Sequence, residues 1–242
     1  MNRPDRRNAF NTQMVEDLTQ AFEAFEQHDS RAVLLSGEGS AFSAGADLEY
    51  MKSIKDAGRE ENIKDADKLA DLLHLIYRFP KPVVARIHGP AIGGGVGLVA
   101  ACDIAVASQH SFFAFSEVRL GLVPAVIGPY VVRKIGESAA RYYMLTAHRF
   151  HAEEAQRIGL IQKTTVLGDL DNAVNAVLAE LVQGGPEALD ACKRLIQRIS
   201  EDPADEVRPW TAELIADLRA STEGQEGIGA FLEKRSASWK SS

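Results

Sequence analysis

The chain has 242 residues, 45% of them apolar and 25% charged, and a formal net charge of −7. That composition suits a soluble globular chain with a sizeable core, built as one large domain or one domain with an appendage. It excludes global disorder, collagen-like repeats and a coiled coil. The acidic balance, with no long Lys/Arg block, argues against a nucleic-acid partner, and no apolar run is long enough for a transmembrane helix.

The first residues, Met1 to Arg7, carry basic side chains with no apolar run behind them, so no secretory signal is expected. Two cysteines, Cys102 and Cys192, are too few for a disulfide framework. Both read as buried thiols in a reducing compartment, which places the protein in the cytoplasm. Met14, Leu18, Phe22 and Phe25 recur at helical spacing and predict a helix. Ala32 to Leu35 reads as a short buried strand ended by Gly37, and a polar loop follows to Asp47. The charged stretch from Ser53 to Lys68 reads as a mobile helix or loop. Leu69, Leu72, Leu73 and Ile76 form a second helical face, closed by Pro80.

Strands are predicted at Lys81–Ile87, Asp103–Ala107 and Phe112–Phe115, with a glycine-rich turn at Gly93–Gly95 opening a tightly packed helix to Ala101. Beyond Ala125 the pattern is helical: Tyr130–Ile135, Glu137–Leu145, Ala152–Ile158, Leu170–Val182, Pro186–Ile199, Asp205–Arg219 and Glu226–Arg235. A short strand at Lys163–Leu167 interrupts it. Strands joined by helices argue for an α/β fold with largely parallel strands. The helical last part cannot cover its own apolar faces and should pack on the first domain or on a neighbouring subunit.

Two turns stand out for chemistry. Phe42-Ser43-Ala44-Gly45-Ala46-Asp47 follows a strand and opens a helix, and Ile92-Gly93-Gly94-Gly95 does the same further on. Unpaired N–H groups at two such helix starts, aimed at one point, make an oxyanion hole; each turn alone is also what any tight turn looks like. Gly93 to Gly97 lacks dinucleotide-binding spacing, and there is no P-loop, no Gly-x-Ser-x-Gly elbow and no zinc-type Cys/His pattern. Glu117 follows an apolar strand and precedes Val118-Arg119-Leu120-Gly121-Leu122-Val123-Pro124. A carboxylate there is expected to be partly buried, with its pKa raised toward useful acid/base chemistry. The bland alternative is a helix cap or an ion pair with Arg119.

Taken together, the motifs resemble the crotonase (enoyl-CoA hydratase/isomerase) superfamily. They are Asn2 to Phe10, Phe42 to Leu48, Lys81-Pro82-Val83-Val84-Ala85, Gly93-Gly94-Gly95 with Ala101-Cys102-Asp103, Ser116-Glu117-Val118, Gly121-Leu122-Val123-Pro124, and Ala230 to Arg235 followed by Trp239. The resemblance implies repeated ββα units with an α-helical C-terminal trimerisation region. It divides the chain into a core with an acyl-CoA site over residues 1–185 and an oligomerisation region over 186–242, assembled as a homotrimer or dimer of trimers. A pair of strands that precedes Asn-Arg-Pro in the family is missing from the sequence.

The implied substrate is an acyl-CoA thioester, with no separate cofactor, no metal, no nucleic acid and no membrane partner. Carried over by position, the backbone N–H groups of Ala46 and Gly94 hold the thioester oxygen and Glu117 handles protons. The second glutamate of the hydratases falls at Gly97, which has no carboxylate. Arg6, Arg7, Ala9, Ala44 and Asp47 are implied on the CoA side, and Lys234 at the nucleotide of an adjacent subunit. Arg6 and Arg7 read equally as solvated charges, Asp47 as a cap, Lys234 as a helix-end partner and His88 as structural.

Val96 to Ala100, Phe115 to Arg119, the run Pro124-Ala125-Val126-Ile127-Gly128-Pro129-Tyr130-Val131-Val132, Ala191-Cys192-Lys193 and Glu223 to Gly227 look most like the bacterial methylglutaconyl-CoA hydratase branch. That branch implies hydration of 3-methylglutaconyl-CoA. The substrate's distal carboxylate would be held by a pocket cation, Arg133 or Arg119, with Tyr130 nearby and ordered water in the space left at Gly97. An enoyl-CoA isomerase, a general enoyl-CoA hydratase, and a degenerate acyl-CoA- or RNA-binding member are the alternatives.

Overall fold

The structure, a computed structural model, describes residues 1–240. After a short turn at Pro4–Arg6 come α1 (Thr12–Glu26), β1 (Val33–Leu35), α2 (Leu48–Ser53) and α3 (Arg59–Arg78). Then follow β2 (Val83–Ile87), β3 (Ala91–Ile92), α4 (Gly94–Ala101), β4 (Ile104–Ser108), β5 (Phe112–Ala114) and α5 (Gly128–Thr146). The chain continues with β6 (Phe150–His151), α6 (Ala152–Arg157), β7 (Lys163–Thr165), α7 (Leu170–Leu181), α8 (Pro186–Glu201), α9 (Ala204–Ala220) and α10 (Thr222–Leu232).

Two sheets result. The larger has order β1-β2-β4-β7, all parallel, with Val33 opposite Val83 and Ala85 opposite Ala105. The smaller has order β3-β5-β6, with β3 parallel and β6 antiparallel to β5. The order strand, strand, helix occurs twice in succession, as β2-β3-α4 and β4-β5-α5, and each unit gives one strand to each sheet. This is the repeated ββα pattern of the resemblance.

β2 and β4 are near-continuous apolar runs because both faces of the large sheet are covered. Val84 and Val106 pack under Leu170, Ala173 and Val174 of α7. The exception, Arg86 on β2, pairs with Asp171 at the start of α7. α4 is apolar all round, and every residue from Gly95 to Ala101 is buried, as a helix threaded through a core must be. α1 starts at Asn11, whose side chain accepts the Met14 N–H at 3.0 Å, and buries Phe22 edge-on to Phe79.

Of the two readings of the charged stretch after Ser53, the helix holds from Arg59 onward as α3, whose Leu69, Leu72, Leu73 and Ile76 pack into the core. The two helices expected on either side of Gly136 are there as the two halves of α5, broken at Gly136, which takes the non-helical φ 74° and ψ 160°. Cys102 is buried, but Cys192 is exposed: Ala191 faces inward on α8 and Cys192 is turned about 100° away from it. Two-residue strands β3 and β6 were not expected at all.

α8, α9 and α10 pack on one another and are tied to the rest by partly buried polar links. Lys193 on α8 binds Asp103 at 2.7 Å, and the Gln197 amide donates to the Tyr77 carbonyl at 2.5 Å. Arg31 donates to the carbonyls of Gly184 and Trp239. Large apolar side chains stay exposed on this region, Phe231 to 83%. No helix among the described residues is long and apolar enough to cross a membrane.

Candidate active site

The first glycine-containing turn is held by two single-residue bridges. Phe10 pairs with Ala46 and Ser43 pairs with Ala91, both parallel. The Phe10 N–H donates to the Gly45 carbonyl at 2.7 Å, and the Asp47 N–H donates to the Phe10 carbonyl at 2.8 Å. These bonds use the flanking residues, so the Ala46 N–H points away from Phe10 and has no hydrogen-bond partner among the described residues. Gly45 takes φ +85°, and a Cβ there would sit 2.8 Å from the Ile92 carbonyl oxygen. Only glycine lets this turn press against β3.

The second turn opens α4. Gly93 takes φ +52° and its N–H donates to the Ala114 carbonyl at 2.9 Å. The N–H groups of Val96 and Gly97 fold back onto the Gly93 carbonyl. Gly94, at the first helical position, keeps an N–H with no partner among the described residues. The same cavity, about 290 Å³, is lined by Ala46, Gly94 and Glu117. Two open backbone donors and one carboxyl therefore share one wall.

Glu117 begins a single turn, Glu117–Leu120, just after β5. A Cβ on Gly93 would lie 3.0 Å from Glu117 Oε1, so the bare glycine makes room for the carboxyl. Glu117 Oε2 is buried with no hydrogen-bond partner. Burial pushes its pKa above the ordinary glutamate range, partly offset by the N–H groups of Glu117 and Ser116. It forms neither the ion pair with Arg119 nor the cap that the bland reading offered.

The rest of the cavity is largely apolar, with Phe10, Met51, Leu69, Val126 and Ile127 on its wall. Three polar side chains join them from α2 and α3: Tyr50, Asp65 and Lys68. The sequence reading missed all three, since they stand in or beside the stretch read as mobile. Their signal was the spacing of Asp65 and Lys68, three residues apart just before the apolar face of α3.

A second cavity, about 590 Å³, meets the first at Ala46. Arg6, Arg7, Ala9, Ala44 and Asp47 line it together, and Arg119 and Arg149 join them. Arg149, stacked on the Phe112 ring at 5.1 Å, was not anticipated. Asp47 also caps α2, accepting the Glu49 N–H at 2.9 Å, and pairs with Arg3 at 2.9 Å. Burial alone would raise its carboxyl, but the Arg3 and Glu49 hydrogen bonds outweigh it and hold the pKa below the usual range.

Several expected residues lie elsewhere. Tyr130 and Arg133 line a third cavity under α8, where Arg133 stacks over Tyr77 at 5.2 Å and faces Glu201 at 3.4 Å. Arg119 is on the second cavity, not the first. Lys234, just beyond α10 with φ +56°, lines neither. His88 bonds the Gly39 carbonyl at 3.0 Å through Nε2, a link within the framework. Gly97 is buried and its missing side chain leaves no vacant space, because a Cβ there would lie 2.3 Å from Ile127 Cγ2.

The family model for enoyl-CoA hydratase/isomerase matches residues 1–242. The chain is 35% identical over 244 residues to the enoyl-CoA hydratase AKT6-1 of Alternaria alternata, covering 97% of this chain and 78% of that protein. A crystal structure of an enoyl-CoA hydratase from Shewanella pealeana superposes with a TM-score of 0.94 at 40% identity, covering 98% of this chain and 89% of that one. One from Mycobacterium smegmatis gives 0.93 at 33% identity, covering 98% and 92%. With the two glycine turns, the buried glutamate and the twinned ββα units already in place, the chain belongs to the enoyl-CoA hydratase/isomerase family.

Proposed function

We propose that the protein hydrates branched 2-enoyl-CoA thioesters, with 3-methylglutaconyl-CoA as substrate and the 3-hydroxyacyl-CoA as product, reversibly. One observation carries the reading. Glu117 Oε2 is buried and unpaired in the wall of the cavity that also holds the free N–H groups of Ala46 and Gly94.

The thioester oxygen accepts from those two N–H groups, which stabilise the enolate as charge develops. Water adds to C3 and gives its proton to the Glu117 carboxylate, and the same carboxyl then protonates Cα on the same face. Atoms balance as the addition of one water. The raised pKa of Glu117 suits a group that must both take and give the proton. The CoA portion lies along the second cavity, where Arg6, Arg7, Arg119 and Arg149 offer cations to its phosphates. Lys234 reaches a CoA only across a subunit boundary, in a trimer or a dimer of trimers built on α8 to α10.

The packing of Ile127 against Gly97 favours a second reading. With no carboxylate there, Glu117 alone can move a proton between C4 and C2, which makes a Δ3,Δ2-enoyl-CoA isomerase. Incubation with 3-methylglutaconyl-CoA, crotonyl-CoA and a 3-enoyl-CoA, followed by chromatography and mass analysis, separates the readings. A product heavier by one water from the first substrate supports the proposal. Isomerised 3-enoyl-CoA without hydration supports the second reading, and no product from any substrate supports a degenerate acyl-CoA-binding member.

A further inference from the structure

We infer that Lys68 selects acyl chains ending in a carboxylate, gripping that group on the α2–α3 wall of the first cavity. The inference rests on the reading of that cavity as the acyl site, and it names the chemistry of the acyl terminus.

A cavity for a plain hydrocarbon tail needs an apolar wall, and most of this wall is apolar. Tyr50, Asp65 and Lys68 break it on one side. A hydrocarbon lying against them would strip water from the half-exposed Lys68 ammonium and return no hydrogen bond. A polar acyl terminus removes that conflict.

The sign of the terminus follows from which group is free to exchange partners. Lys68 is the one cation on this wall among the described residues. Its ammonium pairs with Glu16 on α1 at 2.8 Å, and both side chains are close to half exposed, at 48% and 43%. Glu16 does not line the cavity, so it can return to solvent when another carboxylate takes its place. An exposed pair of this kind is weak and cheap to exchange. Asp65 is the group that could repel an anion. It is already engaged by the Tyr50 hydroxyl, and burial pushes its pKa up while Lys68 pulls it down. Lys68 lies next in sequence to Leu69, whose Cδ2 is 3.9 Å from the point a Cβ on Gly94 would occupy. Lys68, Ala46 and Gly94 line the same cavity. Arg133 and Arg119, the cations the sequence suggested for this role, line other cavities.

The test uses binding, so that it does not depend on turnover. Glutaryl-CoA and valeryl-CoA are saturated and unreactive toward hydration, and differ in having a terminal carboxylate or a methyl group. Calorimetry on the wild type should show glutaryl-CoA bound about ten- to a hundredfold tighter, the size of one charge-assisted hydrogen bond. Lys68→Met should abolish the preference, Lys68→Arg should restore most of it, and Glu16→Gln should increase it. Equal or tighter binding of valeryl-CoA by the wild type would overturn the inference, as would a Lys68→Met protein that keeps the full preference. If glutaryl-CoA is preferred and no enoyl-CoA is hydrated, the assignment of Lys68 stands and the hydratase reading fails.

Discussion

Gly97 and Ile127 are interlocked: a Cβ on Gly97 would lie 2.3 Å from Ile127 Cγ2 and 2.9 Å from Ile127 Cβ. The position where the resemblance places a second carboxylate is filled from the neighbouring segment. The one-carboxylate site is therefore built into the packing of α4 and does not arise from a single missing side chain. Gly97→Ala should destabilise the protein by about 1–3 kcal/mol through overpacking. Gly97→Ala combined with Ile127→Ala should be more stable than the sum of the two single losses predicts. Urea unfolding of the three variants measures both.

The Gly94 N–H can be separated from the Gly94 side chain. A Cβ at this position would meet Phe10 Cε2 at 2.9 Å, so any substitution pushes on Phe10. Gly94→Ala keeps the N–H and Gly94→Pro removes it, while proline is tolerated at a first helical position. The proline variant should lose about 2–4 kcal/mol of transition-state stabilisation beyond the alanine variant. The ratio of their kcat/KM values reads that difference, with circular dichroism as the check on folding.

Glu117 carries a stability cost of known sign. Its pKa is raised by burial above the ordinary 4.5, so the folded state binds the proton more tightly than the unfolded state. Stability from this group is full below the unfolded pKa and is lost as pH rises through the folded one. Glu117→Gln should therefore have a higher Tm than wild type at neutral pH, and the gap should close as pH falls to about 4 and below. Thermal unfolding across that range measures it.

The exposed apolar side chains on the last helices call for a partner surface. Ile196, Ile199, Ile215, Ile228, Phe231 and Leu232 are all exposed in the single chain. A patch of that kind on a symmetric homo-oligomer is covered by copies of itself. Light scattering should return three or six times the chain mass of 26.3 kDa, and Phe231→Asp should shift the distribution toward single chains.

Much of the fold was legible because its periodicities are strong. α1, α4, β2, β4 and the helices from α7 onward fall within a few residues of their sequence patterns. β3 and β6 were not legible, because two-residue strands exist only by pairing with β5, and that pairing is non-local. The charged start of α3 stayed open between helix and loop because Glu60, Glu61 and Lys64 carry no apolar face. At the site, the two turns and Glu117 could be named from sequence motifs. The polar side chains of the first cavity could not, since Tyr50 on α2 and Asp65 and Lys68 on α3 come together only in the fold. Arg133 was misplaced for the same reason, as its helix turns it toward Glu201. The filling of Gly97 by Ile127 joins residues thirty positions apart and has no local signature.

The central claim is that one carboxyl both takes and gives the proton of hydration, and the most direct measurement is turnover of 3-methylglutaconyl-CoA by wild type and by Glu117→Gln, in both directions. The account predicts a hydrated product from the wild type and a loss of about 10²–10⁴ in kcat for the variant in hydration and dehydration alike. A Glu117→Gln enzyme that hydrates within tenfold of wild type would contradict it.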